Sequence, residues 1–153
     1  MKADLLVLGT GQAGAPLATR FAREGRRVVI FERAHVGGTC VNYGCTPTKA
    51  FIASARAAHD VRRAAELGVR AGEPELDMDA VVDRKERIVE QWRSGVEKNL
   101  EKAGDGLTLV REHALFVAPG VVEAGDATYE GERVIVNVGG RPVVPEVPGL
   151  ERV

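Results

Sequence analysis

The residues best equipped for chemistry are two cysteines, Cys40 and Cys45, and a glycine-rich turn, Gly9-Thr10-Gly11-Gln12-Ala13-Gly14. No other cysteine occurs in the chain. An isolated structural disulfide is uncommon in a cytosolic protein, which raises a redox or metal role for the pair. A regular helix separates residues five apart by about 7.5 Å of rise alone, whereas disulfide Cα atoms lie within about 7 Å. If the two cysteines pair, the segment between them must bend away from regular helix, and Asn42-Tyr43-Gly44 supplies a bend. Thr46 is a capping type and Pro47 suits a first helical position. Cys45 then stands just outside a helix N-terminus, whose field stabilises a thiolate, and Lys49 adds positive charge one turn in. Cys45 is therefore a candidate low-pKa thiol, with Cys40 as its exchange partner. The plainer alternative is two thiols used as small apolar residues. Structural zinc takes four ligands, and His35, His59 and His113 are scattered, so no metal site is expected, although a soft ion could bridge the two sulfurs.

The glycine turn fits G-x-G-x-x-G. Alone that pattern is weak, but here an apolar strand precedes it and a helical pattern follows. The first glycine allows the tight turn, the second lets a pyrophosphate approach the backbone, and the third lets helix pack on strand. The helix N-terminus then faces the phosphate charge. Glu32 closes the second strand, where an acid binds ribose hydroxyls. It favours FAD or NAD over a dinucleotide with a 2′-phosphate.

These groups need a frame. Asp4–Leu8 and Val28–Phe31 are continuous apolar runs, read as buried strands, with a helix between them that ends at Gly25. Such a βαβ unit demands a parallel pair and a right-handed crossover. Residues 34–46 read as irregular. A helix from about Pro47 to Leu67, a connection over 68–77 and a helix from about Asp79 to Lys102 follow. Val81, Ile88, Trp92, Val96 and Leu100 form a stripe on the latter, interrupted by Lys85. The stripe reads as core, or as a face needing cover and hence some self-association. The tail reads as short strands at Leu107–Val110, Ala114–Val117, Val121–Ala124 and Arg133–Val138, with Thr128-Tyr129 a further candidate. Turns are expected at Pro119-Gly120, Gly125-Asp126 and Glu130-Gly131. Gly139-Gly140-Arg141-Pro142 opens an exit loop. With 153 residues, 44% apolar and 28% charged, one domain with its own core is expected. A net charge of −1 gives no case for nucleic acid or an anionic membrane. The apolar runs are too short to span a bilayer, and no signal peptide is evident, so a cytoplasmic protein is expected.

Gly37-Gly38-Thr39-Cys40-Val41-Asn42-Tyr43-Gly44-Cys45-Thr46-Pro47-Thr48-Lys49 closely resembles the redox-disulfide segment of the flavin-dependent pyridine nucleotide-disulfide oxidoreductases. These include dihydrolipoamide dehydrogenase, glutathione reductase and mercuric reductase. Ile135-Val136-Asn137-Val138-Gly139-Gly140-Arg141-Pro142, with Pro145 and Pro148-Gly149, resembles their second flavin-domain signature. The resemblance implies an α/β, Rossmann-like FAD-binding domain over 1–153, with a parallel sheet, two long helices and a small antiparallel β-meander. It implies FAD at the first glycine loop, held by Gly9, Gly11, Gln12, Ala13, Gly14, Glu32, Arg33, Gly38, Thr39, Gly44, Ala114, Val138 and Gly139, with Cys40, Cys45 and Lys49 beside it. Cys40 matches the interchange thiol that meets substrate, Cys45 the thiol that lies against the flavin, and Lys49 the lysine near the flavin's reactive edge. Electrons would run from NAD(P)H through FAD to a Cys40–Cys45 disulfide, then to a dithiol, disulfide or Hg(II)-like substrate. A full-length parent would be a homodimer.

Three departures matter. Thr46 and Thr48 replace the more usual valine or isoleucine and serine, the first placing the chain nearer a mercuric-reductase-like branch. Val138 replaces threonine. The nicotinamide-binding and dimerisation domains, with the latter's His-Glu acid/base pair, are not in this sequence. The chain alone is thus expected to use NAD(P)H inefficiently and to hold FAD with weakened or lost affinity. An FAD-binding dithiol module without turnover is the alternative.

Overall fold

The computed structural model describes residues 1–141 and 143–152; Pro142 of the exit loop lies outside the described residues. Strand β1 (Lys2–Leu8) leads through the glycine turn into helix α1 (Gly14–Arg23), and β2 (Val28–Phe31) returns parallel to β1 with Leu5 opposite Val28. After a short helix α2 (Gly38–Asn42) come two long helices, α3 (Cys45–Arg63) and α4 (Met78–Glu101). A 3-10 turn, Ala64–Leu67, continues α3. Strands β3 (Leu107–Val110), β4 (Ala114–Ala118), β5 (Val121–Ala124) and β6 (Ala127–Val136) complete one six-stranded sheet of order β3-β2-β1-β6-β5-β4. The pairs β3-β2, β2-β1 and β1-β6 are parallel; β6-β5 and β5-β4 are antiparallel. This is the expected Rossmann-like architecture with a meander at one side.

The continuous apolar runs are explained by burial on both faces. Leu5, Val7, Val28 and Ile30 face Ala15, Ala18, Ala22 and Leu100 of the helical layer. Leu6, Leu8, Val29 and Phe31 face Val122 and Ala124 of the meander, which curls over the opposite side. Tyr129 meets the Phe31 ring edge-on, centroids 5.1 Å apart.

One reading of the tail is corrected. Glu130-Gly131 is not a turn: it lies within β6, a single strand covering the Thr128-Tyr129 candidate and much of the Arg133–Val138 one. Gly131 is there because Leu6 packs against it; a Cβ would lie 2.6 Å from the Leu6 Cγ. It also marks where β6 passes from β5 to β1, since Glu130 pairs with both Val121 and Lys2. The Gly125-Asp126 turn is as expected, closing the β5–β6 hairpin between the paired Ala124 and Ala127.

The stripe on α4 is divided. Leu100 is buried and Val96 packs on the core, but Trp92 is 60% exposed. Asp77 caps this helix by accepting from the Ala80 N–H at 2.9 Å. Asp77→Ala is expected to cost about 1 kcal/mol, read as a lower urea midpoint with unchanged slope; an unchanged midpoint contradicts it.

Candidate functional site

The C-terminal ends of β1, β2 and β6 open side by side, and the strand order reverses at β1, running to β2 and β3 on one side and to β6 on the other. Ligands of open α/β sheets bind in the crevice at such a point. Gly9 ends β1 with a φ of +97°, a region that L side chains rarely adopt. Its missing side chain admits the carbonyl of Asn137, where β6 ends. Gly14 opens α1 with its Cα against the Gly9 carbonyl. Gln12 and Ala13 between them are exposed.

Glu32 follows β2 and already works within the protein. Its Oε2 accepts from the Thr10 hydroxyl at 2.6 Å and the Thr10 N–H at 3.2 Å, and its Oε1 from the Ala34 N–H at 3.0 Å. The buried Thr10 hydroxyl accepts from the Gly37 N–H at 3.1 Å. One threonine thus ties the glycine loop, the β2 acid and the turn before the cysteines together. The glycine motif assigns Thr10 no role; its one signal in the sequence is a hydroxyl between two glycines.

The dithiol segment lies directly on this loop. Gly37 and Gly38 both have positive φ, and a Cβ on Gly38 would lie 2.7 Å from the Gly11 Cα. Residues 34–46 are not wholly irregular: Gly38–Asn42 is helical and carries Cys40. The start of the next helix is also corrected. Gly44 is the cap and Cys45 the first residue of α3, so Cys45 stands in the first turn, and no side chain caps it. Gly44 allows the turn because its Cα lies against the Thr39 carbonyl, 3.0 Å from where a Cβ would be. The bend expected at Asn42-Tyr43-Gly44 is the break between α2 and α3.

Asn42 fixes the segment from inside. Its amide donates to the Val36 and Gly38 carbonyls at 2.9 Å each and to the His35 carbonyl at 3.3 Å. Its oxygen accepts from Arg93 Nε of α4 at 3.0 Å. Cys40 is half-buried, Cys45 and Lys49 are exposed, and both thiols are free.

The Cys40 thiol is pushed above its ordinary value. The largest cause is its side-chain hydrogen bond with Cys45, then burial, then the charge of Cys45; a backbone bond at Cys45 and the Lys49 charge act the other way. At neutral pH the Cys40 thiol therefore keeps its proton until a base removes it. Cys45→Ala removes the two Cys45 side-chain causes, so the pH midpoint for alkylation of Cys40 is expected to fall. A midpoint that stays or rises contradicts this coupling.

Arg33 is exposed beside Glu32. Ala114 opens β4 and packs on the cluster that holds Leu8 and Phe31. Thr39 and Gly139 approach each other: a Cβ on Gly139 would lie 3.8 Å from the Thr39 Oγ1. Val138 is exposed next to it. The three histidines are exposed; His35 lies five residues before Cys40, and His59 and His113 lie farther along the chain. Among the described residues no group of three or more His, Cys, Asp or Glu could hold a metal ion, and no helix is long and apolar enough to cross a membrane.

Residues 3–153 match the family model described as pyridine nucleotide-disulphide oxidoreductase. The chain is 41% identical to a dihydrolipoyl dehydrogenase of Halobacterium salinarum, over 97% of this chain and 32% of that protein. It is 36% identical to a mercuric reductase of Streptomyces lividans, over 98% and 33%, and 34% identical to a glutathione reductase of Nostoc sp., over 97% and 32%. Among solved structures, the HOCl-induced flavoprotein disulfide reductase RclA from Escherichia coli matches with a TM-score of 0.80 and 27% identity, over 97% of this chain and 31% of that one. The chain spans about a third of the length of these relatives.

Proposed function

Because the chain belongs to the pyridine nucleotide-disulphide oxidoreductase family, we propose that it carries the FAD site and the redox dithiol of a flavin-dependent disulfide oxidoreductase. The observation that supports this most is the stacking of the dithiol segment on the glycine loop, Gly38 against Gly11. A dinucleotide held at that loop would extend along the dithiol segment.

The cradle fits FAD. Gly9, Gly11 and Gly14 let the loop turn tightly, with Gln12 and Ala13 exposed above it where a pyrophosphate would sit. Glu32 keeps acceptor capacity beyond the bonds it makes, since an ionised carboxylate has about four lone-pair sites, and with Arg33 it would hold the adenosine ribose. Ala114 would meet adenine. Gly38, Thr39, Gly44, Val138 and Gly139 would line the rest, with Lys49 near the reactive edge. When bound, FAD supplies the two-electron link between NAD(P)H and the dithiol.

The thiols do the exchange. Cys40, once deprotonated, attacks one sulfur of a substrate disulfide and expels one substrate thiol. Cys45 attacks the Cys40 sulfur of the mixed disulfide, forming the Cys40–Cys45 bond and releasing the second substrate thiol. The substrate gains two electrons and the dithiol loses two, to be restored from NAD(P)H through FAD. A soft metal ion is the other substrate class that a thiol pair suits. NAD(P)H use and a homodimeric parent belong to the same proposal.

Titrating FAD into the chain up to millimolar concentration, with flavin fluorescence as the readout, tests the site. Weakened but still saturable binding that ADP displaces is expected. No saturation, or no competition by ADP, contradicts the reading.

A further inference from the structure

The N–H groups of the glycine loop can be followed one by one. Gly9 donates to the Phe31 carbonyl at 2.8 Å and Ala15 to the Gly11 carbonyl at 3.2 Å. Thr10 donates to Glu32. Asn137 takes two more. With its side-chain oxygen facing the loop, the orientation that pairs every group, it accepts from the Gly14 N–H at 2.9 Å and the Gly11 N–H at 3.3 Å. Its own N–H donates to the Leu8 carbonyl at 2.8 Å, so β6 anchors it against β1. The N–H groups of Gln12 and Ala13 remain, on two exposed residues.

The same residue lies against all three glycines. A Cβ on Gly9 would fall on the Asn137 backbone carbonyl. One on Gly11 or Gly14 would lie 2.8 Å or 2.9 Å from the Asn137 carboxamide. Gly9 and Gly11 therefore make room for one asparagine that arrives more than a hundred residues later in sequence, and Gly14 makes room for it and for the Gly9 carbonyl.

We propose that Asn137 is a positioning residue for the phosphates of the dinucleotide. By taking the Gly11 and Gly14 N–H groups from inside, it sets the loop so that the Gln12 and Ala13 N–H groups face outward as the donor pair for the anion. It acts through the loop and does not touch the ligand. Buried backbone donors are nearly always paired, so without this acceptor the loop re-forms around another and its outward donors lose their alignment. The inference rests on the FAD reading above.

The test uses the 15N-labelled chain, with ADP as probe and adenosine as a phosphate-free control. Without ligand, the Gly11 and Gly14 amides are expected to exchange with solvent at least about tenfold more slowly than those of Gln12 and Ala13, reflecting their pairing. Asn137→Ala is expected to abolish that protection and to weaken ADP about tenfold, the effect of one ordinary hydrogen bond, while adenosine binding changes less than about twofold. Asn137→Asp, which keeps the acceptor oxygen, is expected to restore the protection. Equal losses for ADP and adenosine would mean a merely structural role and overturn the proposal. Fast exchange at Gly11 and Gly14 in the unmodified chain overturns it directly, even if Asn137→Ala fails to fold. If those amides are protected but ADP does not bind, the FAD reading fails, and the proposal with it, leaving only the hydrogen bonds.

Discussion

Gly9→Ala is expected to destabilise the chain by about 2–6 kcal/mol and to abolish dinucleotide binding, the sum of a strained φ and an overpacked contact. The φ of +97° is one cause. The new Cβ is the other: it would fall on the Asn137 carbonyl, where β6 runs beside β1. Relief requires the end of β6 to move away, which breaks the Asn137 N–H bond to Leu8 and unseats the carboxamide from Gly11 and Gly14. Against a typical total of about 5–15 kcal/mol, that is a large share. Gly25→Ala separates the causes. Gly25 also has positive φ, +81°, but nothing lies within 4 Å of its Cβ position. It should lose only the strain, about 1 kcal/mol. Urea denaturation of the two variants decides; equal losses would show that the contact with Asn137 contributes nothing.

Asn42→Ala should have the next largest effect. The side chain is buried and joins three carbonyls of the 35–38 segment to Arg93 of α4. Truncation strands these partners, at about 1–3 kcal/mol for each buried group left unpaired. With relaxation and water entry, a total of about 2–4 kcal/mol is expected, within the range for breaking a buried network. The functional effect is distinct. Asn42 binds the start of α2, which carries Cys40, and lies three residues before Cys45. Loosening it lowers the effective concentration of one thiol for the other. In glutathione redox buffers the equilibrium constant for closing the Cys40–Cys45 disulfide is expected to fall about tenfold, a change of about 30 mV. A lost stability with an unchanged constant would mean that Asn42 supports the fold but does not set the thiols.

The phosphate-loop frame was legible because its signals are local. Leu5–Leu8 and Val28–Phe31 are apolar without interruption because both faces of the sheet are covered, and glycines mark the turn between β1 and α1. The dithiol motif was legible as a resemblance, and its stacking on the glycine loop supports it. What stayed hidden is what distant contacts decide. Gly131 looked like a turn, but it is a strand residue thinned for Leu6. Helix α2 is only five residues long and begins at a pair of positive-φ glycines, and its buried Asn42 is tied to Arg93 of α4. Thr46 has the right type for a cap, yet the close approach of Gly44 to Thr39 starts the helix earlier. Thr10 and Asn137 gave no periodic signal. Their only trace in sequence was position, a hydroxyl inside a glycine turn and a carboxamide closing an apolar run.

The most direct test of the account is the visible spectrum of the chain saturated with FAD, recorded before and after reduction with a small dithiol. The proposed arrangement predicts new long-wavelength absorbance on reduction, from a thiolate lying against the flavin. It should persist in Cys40→Ser and vanish in Cys45→Ser. Absorbance that depends on Cys40 instead, or a bound flavin indifferent to both thiols, would contradict the placement of the dithiol at the FAD site.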